Sequence, residues 1–265
     1  MKAYFINLDR SPDRREYMTR TLDGLGIAYE RIAAVDGRTL TAEERAACYR
    51  FAPGTQYLDA GSIACFLSHR DVWQRIAAQE DAVALVLEDD ILFGTGAKEI
   101  LDDAAWIPAS AELVRLETVL RHTVHGASPI ATVGGRAIVT LHRIHNGSGA
   151  YIIRKEAAVF LLARTQQFSY AVDYILFDPH CPEFCGFSVL QMVPALCIQN
   201  AIAPRAMRGP DLPSLLQGTR KTVFDRGPRR FMAKVAREFE KQRMIVTGRL
   251  LDGMRGRKTG RIPFR

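Results

Sequence analysis

The most constraining feature of this chain is residues 83–90 (Val-Ala-Leu-Val-Leu-Glu-Asp-Asp), where an apolar run ends in three consecutive carboxylates. The apolar part is typical of a strand buried on both faces of a parallel α/β sheet. Ligands of such sheets bind beyond the carboxyl ends of the strands. Glu88, Asp89 and Asp90 would repel one another there, and a bound Mg²⁺, Mn²⁺ or Ca²⁺ would relieve that repulsion. The alternative is that they are solvated loop residues, or that one caps the next helix.

Strand and helix signals alternate along the rest of the chain. This alternation predicts an α/β fold with a mostly parallel central sheet. The predicted strands are residues 2–8, 29–35, 83–88, 112–117, 149–153 and 189–198, and the predicted helices are residues 12–23, 61–79, 97–105 and 155–164. Ser11, Pro12 and the glycines at 24 and 26 are natural start and stop signals for the first helix.

The charge is divided unevenly between two regions. Residues 205–265 hold 17 Lys and Arg against 5 Asp and Glu, a net charge of +12, so the overall +7 leaves 7 − 12 = −5 for residues 1–204. We therefore expect a catalytic or binding domain at 1–204 and a basic extension at 205–265. Within the extension, residues 229–250 have the pattern of an amphipathic helix, which suits an anionic membrane surface or packing on the domain. Residues 255–265 are predicted to be disordered.

The amino-terminal residues and the cysteines bear on the cellular location. The first seven residues turn polar too early for a secretory signal, and no apolar run approaches the ~20 residues of a membrane span. The five cysteines are an odd number and widely scattered, which favours free thiols in a reducing compartment. We expect a cytoplasmic protein, peripheral on the inner face of the membrane if the basic extension binds lipid. Nucleic acid is not an expected partner, because the basic stretch contains no recognised module.

Four segments occur together in a characteristic order. They are Asn7-Leu8-Asp9-Arg10 with Arg14-Arg15, residues 61–69 (Gly-Ser-Ile-Ala-Cys-Phe-Leu-Ser-His) with Trp73, Leu87-Glu88-Asp89-Asp90, and residues 149–153 (Gly-Ala-Tyr-Ile-Ile) with Ala157-Ala158. Together they resemble glycosyltransferase family 25, which includes bacterial lipopolysaccharide and lipooligosaccharide galactosyltransferases and collagen galactosyltransferases. The resemblance covers about residues 1–200. It implies a GT-A-like, Rossmann-like fold and inverting transfer of a hexose, commonly galactose, from a UDP-sugar.

On this resemblance, residues 88–90 are similar to an Asp-x-Asp metal motif with Glu in the first position. Side chains alternate in an extended segment, so Glu88 and Asp90 are expected to share a face while Asp89 points away. Asp90, together with Glu88, is the expected ligand of Mn²⁺ or Mg²⁺, which would neutralise the UDP leaving group. Glu88 and Asp89 are also expected to contribute to nucleotide binding, Asp89 in a supporting role.

An inverting transfer needs a general base to accept the proton of the acceptor hydroxyl. Asp173 is the candidate, because it is a single carboxylate in the apolar stretch 171–177 (Ala-Val-Asp-Tyr-Ile-Leu-Phe). The alternative is that Asp173 is the N-cap of a helix. Asp178 is the second choice for the base.

The first loop is the expected nucleotide cradle. Asn7 offers an amide to the uracil edge, while Arg10, Arg14 and Arg15 can pair with phosphates. At least one of the three arginines is expected to be an ordinary solvated charge.

Ser68 and His69 lie on the helix that precedes the acidic strand. Adjacent helix positions point in different directions, so the two are not a nucleophile–base pair. A single helix histidine is more often structural, but the family resemblance makes both residues candidates for the nucleotide pocket.

The expected function is therefore transfer of a hexose from a UDP-sugar to a lipopolysaccharide-type or other surface glycan. One alternative is a non-catalytic membrane-surface or partner-binding protein on a degenerate transferase fold. Metal-dependent phosphoester hydrolysis is a third hypothesis, but it would require a second cluster of metal ligands.

Overall fold

The structure is a computed structural model that describes residues 1–52, 55, 57–143, 146–209, 253 and 255–265. In chain order the elements are β1 (Lys2–Asn7), α1 (Pro12–Leu25), β2 (Tyr29–Ala33), α2 (Ala42–Cys48), α3 (Ala60–Ala78), β3 (Val83–Glu88), β4 (Ile91–Phe93), α4 (Ala97–Asp102), β5 (Leu113–Arg115), β6 (Glu117–Thr118), β7 (His122–Gly126), β8 (Ala131–Val133), β9 (Arg136–Thr140), β10 (Ala150–Arg154), α5 (Lys155–Arg164), α6 (Val172–Phe177), β11 (Val189–Val193), β12 (Cys197–Gln199) and β13 (Arg257–Arg261). A 3₁₀ turn spans Arg205–Met207.

Within these residues the central sheet has eight strands, in the order β2-β1-β3-β10-β5-β11-β9-β8. Six of them run in one direction, while β10 and β9 run in the other. A small sheet, β4-β12-β6, extends the fold beyond the end of β3. This arrangement confirms the predicted α/β class and the mostly parallel strand direction of the central sheet.

Strand β1 shows why the sheet is buried on both faces. Tyr4 and Ile6 belong to the core on the side of α3, α5 and α6, whereas Ala3 and Phe5 belong to the core on the side of α1 and α4. Strands β1 and β3 are parallel with Ile6 beside Glu88, so both strands end at the same edge. That edge is where the acidic residues lie.

Helix α1 begins at the predicted start and ends at the second of the two predicted stops, because it continues through Gly24 to Leu25. Pro12 is its first residue, and Gly26 ends it in the left-handed region at φ 67°, a conformation that glycine adopts without strain. Ser11 occupies the N-cap position, but its hydroxyl makes no capping hydrogen bond to the described part of the chain. No helix in the described ranges is long and apolar enough to cross a membrane.

The carboxyl-terminal residues differ from the sequence prediction. The prediction of disorder for 255–265 is wrong, because β13 pairs antiparallel with β7 and Ile262 is fully buried. The hydroxyl of Thr118 also donates a 2.7 Å hydrogen bond to the carbonyl of Ile262. The Arg-rich composition gave no sign of this tertiary partner, which satisfies the backbone of an edge strand. The predicted helix at 229–250 lies outside the described residues, and the boundary at 204/205 stays a prediction.

Candidate active site

Gly149 links two carboxylates at the edge of the sheet. Its carbonyl accepts a 2.8 Å hydrogen bond from the backbone N–H of Glu88, and its own N–H donates to Glu117 Oε2 at 2.8 Å. A Cβ at this position would lie 2.8 Å from Ile91 Cδ1 and 3.2 Å from Glu117 Oε1. Any larger residue at 149 would therefore force the side chains of Ile91 and Glu117 to shift.

Asp89 is fully engaged by the first loop and helix α1. Its carboxylate accepts a 2.6 Å hydrogen bond from Arg14 and a 2.7 Å bond from Asn7. The Asn7 amide also donates to the carbonyl of Ser11 at 3.1 Å, and its oxygen accepts from Arg31 at 3.0 Å. Contact of Asn7 with a uracil edge stays a prediction, and it would require Asn7 to give up one of these bonds.

Asp90 has a less complete environment than its neighbour. The residue is buried, and its Oδ1 has no hydrogen-bond partner among the described residues. Its nearest cation is Arg14, whose Nη2 lies 3.6 Å from Oδ2. Burial and the charge of Glu88 raise the pKa of Asp90 to about 7. This carboxylate can therefore accept a further cationic ligand.

Glu117 is a site residue that the sequence interpretation missed. Its side chain and that of Arg115 are completely buried, yet Arg115 Nη2 lies 3.4 Å from Glu117 Oε2 and Oε1 has no partner in the described chain. Burial raises the pKa of Glu117 to about 8, and the charge of Arg115 opposes the shift. The sequence did offer a signal, because the predicted strand 112–117 ends on Glu117 as the predicted strand 83–88 ends on Glu88.

Glu88 is held by neutral donors from a loop and from the end of strand β12. Ser148 donates to Oε1 at 3.0 Å, and Gln199 donates to Oε2 at 3.0 Å. Burial favours protonation, but His69 and Ser148 together with the charge of Arg14 hold the pKa of Glu88 below its ordinary value. Glu88 is therefore ionised, whereas the neighbouring carboxylates of Asp90 and Glu117 are more readily protonated.

Asp173 lies in the first turn of α6 and contacts the Gly147-Ser148 segment. Its Oδ2 accepts a 3.0 Å hydrogen bond from the N–H of Gly147, and Oδ1 accepts from the N–H of Tyr174 at 3.1 Å. The N-cap of α6 is the residue before Val172, so the N-cap alternative for Asp173 does not match the structure. The Gly147-Ser148 segment therefore contacts both Asp173 and Glu88.

The other predicted site residues have mainly structural contacts. Ser68 is buried, and its hydroxyl accepts from the N–H of Val35 at 2.9 Å and donates to the carbonyl of Ala64 at 2.8 Å. Arg15 is exposed, as expected for one of the three arginines.

Two more predicted residues have partners of their own. Arg10 remains partly accessible while it pairs with Asp36 at 2.8 Å. Asp178, the second choice for the base, accepts from the N–H of His180 at 3.0 Å in the turn after α6. His69 is buried, and its Nδ1 is hydrogen-bonded to Tyr151.

Residues 1–176 match the family described as glycosyltransferase family 25 (LPS biosynthesis protein). The chain belongs to glycosyltransferase family 25. This family 25 enzyme is 33% identical over 215 residues to the lacto-N-neotetraose biosynthesis glycosyltransferase LgtB of Neisseria gonorrhoeae, which covers 76% of this chain and 75% of LgtB. It is 30% identical over 267 residues to LgtE of the same organism, covering 91% of this chain and 92% of LgtE.

Among solved structures, a glycosyltransferase involved in the glycosylation of the major capsid of PBCV-1 aligns with a TM-score of 0.43 and 11% identity, over 77% of this chain and 94% of that one. The predicted family and its glycosyltransferase activity are confirmed by the family match and the relatives. The four carboxylates Glu88, Asp90, Glu117 and Asp173 all lie inside the matched range. The site therefore belongs to the family's own domain, and the basic extension lies beyond it.

Proposed function

We propose that this family 25 enzyme transfers a hexose, most specifically galactose, from a UDP-sugar to a hydroxyl of a lipopolysaccharide-type glycan, with inversion and with a divalent metal. The observation that carries the proposal is a pair of buried oxygens, Asp90 Oδ1 and Glu117 Oε1, that have no hydrogen-bond partner among the described residues and lie beside the ionised Glu88. The relatives LgtB and LgtE are named for lacto-N-neotetraose biosynthesis, which supports a glycan acceptor.

The carboxylate cluster fits a hard divalent cation. Buried carboxylates without partners are costly, and both Asp90 and Glu117 respond by shifting their pKa values upward. Asp90 and Glu88 would hold Mn²⁺ or Mg²⁺, and Glu117, whose pKa responds to the charges of both, would add negative charge near the ion. When bound, the cation would neutralise negative charge on the diphosphate of the leaving UDP.

Asp173 is the proposed general base. Each of its oxygens accepts one backbone N–H, which orients the carboxylate and leaves lone pairs for a substrate proton. In the proposed step the acceptor hydroxyl loses its proton to Asp173 as its oxygen bonds to the anomeric carbon. The bond from that carbon to UDP breaks on the opposite face, which gives inversion.

The nucleotide would bind next to the first loop. Arg10 is partly accessible and can exchange Asp36 for a phosphate, whereas Arg14 and Asn7 act through Asp89, which they fix in place. In this proposal Ser68 shapes the pocket by linking α3 to Val35 in the segment after β2.

The acceptor side of the proposal includes the membrane. The net charge of +12 on residues 205–265 would attract the enzyme to an anionic surface that carries a lipid-linked acceptor. We expect the full chain to co-sediment with vesicles containing phosphatidylglycerol and not with phosphatidylcholine vesicles. Equal binding to both would contradict the electrostatic attraction.

The direct test is transfer from a panel of UDP-hexoses to a lipooligosaccharide-type acceptor, with Mn²⁺ or with EDTA. We expect turnover with UDP-galactose and Mn²⁺ and its loss in EDTA. Full turnover in EDTA would refute the metal requirement, and absence of binding by any UDP-sugar would refute the donor. Vesicle binding without transfer would favour the non-catalytic alternative.

The base is tested by Asp173→Asn. This variant should retain binding of Mn²⁺ and UDP-galactose while its rate of transfer falls roughly 10²–10⁴-fold. Asp178→Asn is the matched control, because its Oδ1 can still accept the N–H of His180. Near-normal turnover of Asp173→Asn would show that the base is another group.

A further inference from the structure

A second set of metal-ligating groups lies on the α3 side of Glu88. Cys65 and His69 are four residues apart on α3, so they share one face of the helix, and Glu88 faces them from the end of β3. One ligand atom from each residue lies within 4.8 Å of the other two. A thiol, an imidazole and a carboxylate therefore converge on one point.

The imidazole of His69 is oriented by a hydrogen bond on one ring nitrogen, and its other nitrogen has no partner among the described residues. Nδ1 lies 2.9 Å from the hydroxyl of Tyr151, which also accepts a 3.0 Å hydrogen bond from Trp73. His69 is fully buried, and its Nε2 has no hydrogen-bond partner in the part of the chain that the structure describes. Histidine ligands of metals are commonly oriented in this way by a partner on the other ring nitrogen.

The spacing of the groups fits a metal ion better than a direct hydrogen bond. His69 Nε2 lies 3.7 Å from Glu88 Oε1, which is too long for a hydrogen bond. Tetrahedral zinc has bonds of about 2.0–2.3 Å, which separate its ligand atoms by roughly 3.3–3.7 Å. The mixture of sulfur, nitrogen and oxygen donors also favours zinc over Mg²⁺ or Ca²⁺.

We propose that Cys65, His69 and Glu88 form a zinc site with three protein ligands and one open position, next to the donor-binding carboxylates. In the bound form the Nδ1–H of His69 donates to Tyr151, so the lone pair of Nε2 is available to the metal. Cys65 binds as a thiolate and its proton is released to solvent. The open position accepts water or a ligand oxygen.

The electrostatic surroundings attract a cation to this position. Burial and the nearby charges of Glu88 and Asp173 raise the pKa of the Cys65 thiol. The same negative charges that hold the thiol protonated favour a divalent ion. Because Glu88 also belongs to the proposed donor site, zinc bound here would compete with catalytic Mn²⁺ for Glu88. This competition rests on the proposed function, whereas the zinc site itself does not.

Cobalt provides a direct test, because Co²⁺ occupies zinc sites and a thiolate ligand gives it a charge-transfer absorption. Titration of the reduced full chain with Co²⁺ should produce this absorption at one equivalent, and Zn²⁺ should abolish it. Cys65→Ser should eliminate the absorption, whereas Cys48→Ser should retain it as a matched control on a half-buried free thiol. Asp90→Asn should also retain it while losing metal-dependent UDP binding, which separates this site from the proposed function.

A second measurement uses the unaltered protein, in case Cys65→Ser does not fold. Zn²⁺ should slow alkylation of Cys65 at least tenfold, as measured by mass spectrometry of its peptide, while alkylation of Cys48 stays unchanged. The proposal would be overturned by the absence of a thiolate–cobalt absorption, by an absorption that persists in folded Cys65→Ser, or by equal alkylation of Cys65 with and without Zn²⁺.

Discussion

Two buried arginine–carboxylate pairs flank the active site, and they differ in how completely each carboxylate is neutralised. Arg14 lies 2.6 Å from Asp89, which also accepts a hydrogen bond from Asn7. Arg115 lies 3.4 Å from Glu117, whose second oxygen has no partner among the described residues. The first pair is a closed structural contact, whereas the second leaves negative charge available to a ligand.

The difference arises from what else each arginine contacts. Arg115 Nη2 donates a 2.6 Å hydrogen bond to the carbonyl of Asn146, and its guanidinium lies 5.0 Å from the ring centre of Phe177. These contacts hold Arg115 away from the best geometry with Glu117. A buried pair is most stable when all its donors and acceptors are satisfied, so the incomplete pairing of Glu117 next to Glu88 and Asp90 favours a binding role.

The largest effect should come from comparing Asp90→Asn with Asp89→Asn. Asp90→Asn removes a proposed metal ligand, so transfer should fall roughly 10²–10⁴-fold, equivalent to several kcal/mol. Its fold should survive, because Asp90 Oδ1 has no partner to lose among the described residues. Asp89→Asn should mainly reduce the free energy of unfolding. Transfer rates and urea unfolding of the two variants measure these effects. Equal losses of transfer rate and of stability in both variants would contradict the separate roles of Asp89 and Asp90.

Arg14→Met should cost about 3–5 kcal/mol of unfolding free energy, because it leaves a buried carboxylate without its cation. Arg20→Met is the matched control on the same helix, since Arg20 pairs with Glu16 at the surface. The control should change stability by less than about 1 kcal/mol. Urea unfolding measures both variants. Equal losses of unfolding free energy would mean that the buried Arg14–Asp89 contact stabilises the fold no more than a surface ion pair does.

The pH dependence of the unfolding free energy of the metal-free protein tests whether Asp90 and Glu117 are the incompletely neutralised carboxylates. The pKa values of Asp90 and Glu117 are raised to about 7 and about 8. The folded state therefore binds more protons than the unfolded state, and stability should fall as pH rises from about 5 to about 8. Urea unfolding in EDTA at several pH values should show this decline, and it should flatten in Asp90→Asn/Glu117→Gln. Parallel curves for wild type and double variant would contradict the assignment.

The smallest expected effect is on stability in Arg10→Ala. Its contact with Asp36 is partly exposed, so the loss should stay below about 1 kcal/mol. If Arg10 binds a phosphate as proposed, the KM for the UDP-sugar should rise while stability hardly changes. An unchanged KM would show that Arg10 does not bind the phosphate and only forms its ion pair with Asp36.

The sequence predicted the sheet class and the position of the acidic cluster because both depend on local patterns. The apolar run before Glu88 and the glycine after α1 are readable without tertiary information. The roles of Asn7 and Arg14 were not, because their contacts with Asp89 join residues 82 and 75 positions apart.

Two other features were also out of reach of local patterns. Strand β13 forms only because β7 offers it an edge, and Ser148 reaches Glu88 only through the course of its loop. Both features depend on contacts that only the complete fold provides. Glu117 differs from them, because the predicted strand 112–117 ends on this carboxylate and the local pattern could have indicated it.

The central claim is that Asp90 and Glu88 bind the catalytic metal while Asp89 is structural. Calorimetric titration of Mn²⁺ into the protein saturated with UDP tests it most directly. The account predicts one metal site in wild type, the same site in folded Asp89→Asn, and at least tenfold weaker binding in Asp90→Asn. Unchanged Mn²⁺ affinity in Asp90→Asn would contradict it.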